Sequence, residues 1–160
     1  MRRTDREVTD KNEIIKIIDK CDVCRIALSK DNTPYIIPMN FGCIYENGRL
    51  ILYFHCAKEG KKLDIIKSNP AVCFEFDCSV NIIPGDTACK YSLDFESVVG
   101  SGNIIIVGDG EIKEKQKALS LIMKKYAPEK TFEFSGTDID SVTVLKLFAD
   151  EFTGKRRLKL

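Results

Sequence analysis

Hydrophobic positions change period several times along this chain, and each change marks an element. Ile14, Ile17, Ile18 and Cys21 recur at i, i+3, i+4 and i+7, one face of an amphipathic helix. Asp10 stands where an N-cap is needed, with Glu13 three residues on to return a capping-box bond. The period then drops to two. Val23 to Lys30 predicts a strand, Asp31 to Pro34 a turn, and Tyr35 to Glu46 a second strand that Asn47-Gly48 folds back as a type I′ hairpin. Arg49 to His55 is the third strand. It carries Leu50, Leu52 and Phe54 on one face and Ile51 and Tyr53 on the other, so it belongs inside a barrel or beneath a helix.

Gly60 to Ser68 predicts a short helix, stopped at Asn69-Pro70 because proline disfavours helical geometry at the residue before it. Ala71 to Val80 alternates strictly, with Val72, Phe74 and Phe76 facing one way and Cys73, Glu75 and Asp77 the other. Asn81 to Lys90 predicts a loop, and Tyr91 to Val107 an extended stretch with a bend or bulge at Gly100 and Gly102. A helix is expected from Asp109-Gly110 to Tyr126, burying Ile112, Leu119, Ile122, Met123 and Tyr126. Pro128 to Ser141 reads as an irregular connection and Ser141 to Phe152 as the last strand, with a basic tail, 154–160, expected to fray. Five or six strands with three peripheral helices give a mainly β, α+β architecture or a small barrel. A tight hairpin and the lack of a GxGxxG run argue against a Rossmann fold.

At 160 residues the chain has room for one core, so 1–160 is expected to be a single domain. The composition is that of a globular protein, 44% hydrophobic. With 25 basic and 24 acidic side chains, it lacks the bulk charge that drives nucleic-acid binding. No run is long and apolar enough for a membrane span, and no secretory leader pattern opens the chain, so a cytoplasmic protein is expected. Seven cysteines, at 21, 24, 43, 56, 73, 78 and 89, then read as reduced thiols. Cys21-x-x-Cys24 resembles half a zinc knuckle, but Cys73 and Cys78 fall out of phase on a strand, so no metal site is expected.

The candidate chemistry concentrates in "LYFHCAKEGKK", Leu52 to Lys62. His55 is the sole histidine. On an extended backbone its neighbour Cys56 points the other way, so the two make a poor catalytic pair. No GxSxG elbow occurs. A helix opening near Gly60 would place Lys61 and Lys62 in its first turn, where free N–H groups and a partial positive charge favour an anion. Two cations there conflict with the helix dipole, and a bound phosphate would resolve the conflict. A solvated lysine-rich turn is the alternative reading.

The ordered segments "PYIIPMNFG" (34–42), "NGRLILYFHCAKEGKKLDIIKSNPAVCFE" (47–75) and "FESVVGSGNIIIV" (95–107), followed by a helix of the form EK..AL..I...Y, resemble the pyridoxamine 5′-phosphate oxidase-like superfamily. The likeness is to its branch of 5-nitroimidazole resistance proteins. This resemblance implies a six-stranded split β-barrel with peripheral helices, a homodimer, and flavin mononucleotide (FMN) bound at the interface. It implies that Ile37, Pro38, Met39 and Asn40 run beside the isoalloxazine, and that Phe54, His55, Lys61 and Lys62 approach the flavin edge and phosphate. Ser97 and Val98 match positions contributed by the second subunit.

The chain also departs from the pattern. Glu96 stands where a basic residue is frequent, and Cys56 where a small hydroxyl residue is. Nothing matches the substrate arginine and histidine of the true oxidases, so pyridoxamine phosphate oxidation is not expected. The function implied is an FMN-dependent oxidoreductase that reduces small electron-poor acceptors, such as nitroimidazoles, with reduced nicotinamide. His55 would be a proton donor near the reacting centre. A flavin store or sensor, or a haem protein using His55, are the alternatives.

Overall fold

The isoleucine stripe forms the helix it predicts. In the computed structural model, which describes residues 3–157, α1 (Lys11–Lys20) buries Ile14, Ile17 and Ile18. Each such side chain contributes up to about 1.5–3 kcal/mol on leaving water. Asp10 caps the helix by accepting from the Asn12 N–H at 2.8 Å. The expected return bond from Glu13 is not made; Glu13 instead accepts from Lys16 and Arg156.

The strands are β1 (Glu7–Val8), β2 (Cys24–Lys30), β3 (Thr33–Met39), β4 (Gly42–Glu46), β5 (Arg49–Cys56), β6 (Ala71–Ile83), β7 (Ser92–Ile106) and β8 (Thr143–Arg157). All pairings are antiparallel, in the order β3-β2-β6-β7-β8-β5-β4, with β1 added on β8. Among the described residues eight strands therefore replace the six expected. The order also shows why the sheet curls. β3 and β4 are the two ends of the sheet path, yet Asn40 and Phe41 alone connect them. Three peptide steps span roughly 10 Å, so the two edges must meet there. The sheet closes on itself along an unpaired seam, which makes it a split barrel.

That closure corrects the single strand expected over Tyr35 to Glu46, which breaks at the corner. Phe41 is fully buried, its ring 4.8 Å from that of Phe76. Its N–H donates to the Tyr126 hydroxyl at 3.1 Å. Gly42 follows because a Cβ there would lie 2.7 Å from the backbone nitrogen of Ile122, so helix and strand backbones touch directly.

Two further boundaries shift. Asn81 to Ile83, expected in a loop, continue β6 beyond a register shift between Cys78 and Asn81, where Ser79 takes a φ of 57°. The tail expected to fray is paired as far as Arg157 in β8; 158–160 lie outside the described residues. The irregularity foreseen at Gly100 and Gly102 is real, but the surplus residue is Asp150 of β8, opposite Ser101 and Gly102.

The remaining helices are α2 (Lys61–Ser68), α3 (Ile112–Tyr126) and α4 (Gly136–Ser141), the last inside the segment expected to be irregular. On α3 the buried stripe is Lys115, Ala118, Leu119 and Ile122. Ile112 and Tyr126, expected in that stripe, are exposed. Covering by α3 explains the two-faced character of β5, since Phe54 joins the barrel core and Tyr53 the smaller core beneath α3. No helix among the described residues is long and apolar enough to cross a membrane.

Candidate functional site

β4 pairs with β5 only as far as Tyr53. Beyond it, the last turn of β5 faces the outer edge of β3 across the seam. A cavity of about 360 Å³ opens there, lined by Tyr35, Ile37, Pro38, Met39, Asn40, His55, Cys56, Ala57 and Lys62. Its volume falls in the range typical of small-molecule sites, about 300–1,000 Å³. Consecutive residues 37–40 all line it because an edge strand presents its backbone as well as one row of side chains.

Six of the expected residues, Ile37, Pro38, Met39, Asn40, His55 and Lys62, are thus brought together. Lys61 stands beside them, its ammonium 4.8 Å from the centre of the Tyr35 ring. The other three lie away from the cavity. Phe54 and Val98 are fully buried in this chain's own core, and Ser97 sits half-buried on β7 against Asp77 and Lys155. Tyr35 and Ala57 were not singled out from the sequence. Tyr35 shares the strand alternation of Ile37 and Met39, so that period contained a usable signal.

The site is electropositive without being compensated. No carboxylate among the described residues lines it. Among the described residues neither Lys61 nor Lys62 enters an ion pair. Lys62 is near enough to act on the Cys56 thiol, whose titration burial pushes up while the ammonium opposes it. Gly60 caps α2 at a φ of 142°, a conformation reserved for glycine, and makes no side-chain capping bond. The Leu63 N–H bonds the Gly60 carbonyl at 2.9 Å, so among the described residues only the N–H groups of Lys61 and Lys62 remain available there. His55 is exposed and makes no side-chain hydrogen bond among the described residues, so its imidazole is free to meet a ligand.

A larger groove, about 760 Å³, lies along Arg3 to Asp10 with Arg156 and Arg157. Size favours it and electrostatics does not, because its charges largely neutralise one another. Arg3 pairs with Asp5 at 2.7 Å, and Arg156 with Glu13 and Glu96.

Glu96 itself is a structural centre that composition could not reveal. It is fully buried yet accepts from Lys20 (2.6 Å), Arg156 (2.6 Å) and Ser79 (2.9 Å), joining α1, β6 and β8 to β7. Burial pushes its carboxyl up, but the bonds from Lys20, Ser79 and Arg156 together outweigh that and hold it below the ordinary range. The residue that replaces a basic side chain is thus neutralised within this chain. All seven cysteines are free, and no cluster of three metal-ligating side chains occurs among the described residues.

Comparison with known proteins gives a consistent picture. The family model described as pyridoxamine 5′-phosphate oxidase matches residues 10–156. A candidate 5-nitroimidazole antibiotic resistance protein from Bacteroides thetaiotaomicron superposes with a TM-score of 0.79 at 33% identity, covering 93% of this chain and 85% of that one. The fold is shared by an FAD and heme binding protein from Mycobacterium smegmatis (TM-score 0.81, 15% identity, 96% and 74% coverage). It is shared too by a flavocytochrome from Azotobacter vinelandii (TM-score 0.78, 17% identity, 99% and 72% coverage). No curated protein matches the sequence.

Proposed function

We propose that this chain, which belongs to the pyridoxamine 5′-phosphate oxidase family, binds FMN in the seam cavity and uses it as an oxidoreductase. In this reading it reduces small electron-poor acceptors of the nitroimidazole type with electrons from reduced nicotinamide, and works as a homodimer. The observation that carries the reading is a carboxylate-free cavity with two unpaired lysines at a helix start, against an apolar wall of Ile37 and Met39.

Those residues fit the group's chemistry. A flat apolar ring suits Ile37 and Met39, Asn40 offers a donor and an acceptor, and Lys61, Lys62 and the α2 N–H groups suit a phosphate. When bound, the flavin would supply hydride and electron transfer. The chain's own part is to hold the ring, exclude water along the β3 wall and present the imidazole of His55. The name of the Bacteroides relative motivates the acceptor class.

The test is spectroscopic, then kinetic. Purified full-length protein titrated with FMN should develop shifted flavin bands, and NADH oxidation should then depend on an added nitroimidazole. A Soret band without flavin bands would replace the reading with a haem protein. Tight flavin binding without turnover on any acceptor would make it a flavin carrier.

A further inference from the structure

We propose that Cys21 and Cys78 form a reversible dithiol–disulfide pair, oxidised by hydrogen peroxide, that fastens the end of α1 to β6. The two sulfurs converge on one carbonyl oxygen. Cys21 Sγ lies 3.2 Å from the Ile17 oxygen and Cys78 Sγ 4.0 Å from the same atom. Cys21 is the C-cap of α1 and buried, whereas Cys78 is half-buried on β6, just before the positive-φ residue Ser79. Of the other five cysteines, Cys24 is buried at the start of β2, Cys43 turns toward Asp19, Cys56 lines the seam cavity, and Cys73 and Cys89 are exposed.

The unequal exposure sets the order of events. Cys78 meets peroxide first; its thiolate attacks one oxygen, the O–O bond breaks, and a sulfenic acid and one water result. The Cys21 sulfur then attacks the Cys78 sulfur, the S–O bond breaks, and the hydroxyl leaves with the Cys21 proton as a second water. Two sulfurs have together given up the two electrons that reduced the peroxide. Burial holds the Cys21 thiol protonated and unreactive toward peroxide itself, so it acts as the resolving partner.

The bond would close a loop of roughly 60 residues, which restricts the unfolded chain. It would also tighten the segment where Ser79 bonds Glu96. Oxidation takes from the Ile17 carbonyl the two S–H groups that approach it, so the disulfide is one that thiol reductants reopen.

The experiment uses reduced full-length protein, treated with stoichiometric hydrogen peroxide, alkylated and digested without reductant. A Cys21–Cys78 linked peptide is expected, with a rise in Tm of roughly 5 °C or more that dithiothreitol reverses and Cys78→Ser abolishes. Any other cysteine pairing, oxidation confined to Cys73 and Cys89, or the same Tm rise in Cys78→Ser would overturn the proposal. If Cys78→Ser does not fold, the Cys73→Ser/Cys89→Ser variant, altered only at exposed positions, must still yield the linked peptide.

Discussion

Two lysines stand at the seam, but the structure gives them unequal work. Lys62 lines the cavity, while the Lys61 ammonium lies over the Tyr35 ring. A charge-assisted hydrogen bond to phosphate is worth about 1.5–3 kcal/mol. At about 1.4 kcal/mol per factor of ten, Lys62→Ala should weaken FMN by roughly 10- to 100-fold. Lys61 acts on a phosphate there only as a neighbouring, solvent-screened charge worth about 0.5–1 kcal/mol, so Lys61→Ala should cost roughly two- to fivefold. Riboflavin, which lacks the phosphate, should bind both variants nearly as well as it binds the parent. Fluorescence titration of both flavins against the two variants and their double, at low and high salt, measures all of this. Among the described residues neither lysine enters an ion pair, so melting temperatures should barely move. Equal weakening of FMN and riboflavin in Lys62→Ala would remove the phosphate assignment. A larger loss in Lys61→Ala than in Lys62→Ala would refute the division of labour.

Three other expectations follow from the same coordinates. His55 is exposed and unbonded, so His55→Ala should hold FMN within a few-fold, melt like the parent, and lose about 10²–10⁴ in acceptor reduction if it supplies a proton; full NADH-driven turnover would make it a bystander. Glu96→Gln should cost about 2–4 kcal/mol in urea unfolding at pH 7, since it weakens a buried carboxylate's hold on two cations. Because the folded carboxyl titrates below its ordinary value of 4.5, that stability is present above this value and is lost as pH falls through the lowered one. The gap between parent and variant should therefore narrow at pH 3, and an equal gap at both pH values would contradict the assignment. The proposed homodimer, which rests on the functional reading rather than on the coordinates, should sediment as a dimer burying more than about 1,000 Å²; a tightly flavin-binding monomer would exclude it.

Local pattern alone located most of the secondary structure, because periodicity and turn chemistry act over a few residues. The α1 stripe, the Asn47-Gly48 hairpin, the β6 alternation and the Gly60 helix start needed no tertiary information. The quoted segments likewise carried the family and six of the cavity-lining residues. What the sequence could not state was where an extended run changes partners. Tyr35 to Glu46 reads as one strand, yet it divides at Asn40-Phe41 because sheet closure sets its halves on opposite edges, with Phe41 and Gly42 fitted against Phe76 and α3. That division creates the seam, and the seam makes the cavity. Burial was equally illegible at Lys115 and Glu96, charged residues whose interior places depend on Asp109 in one case and on Lys20, Ser79 and Arg156 in the other. The two cations lie 76 and 60 residues from Glu96, so charge pairing across the fold, unlike a helical stripe, leaves no period to read.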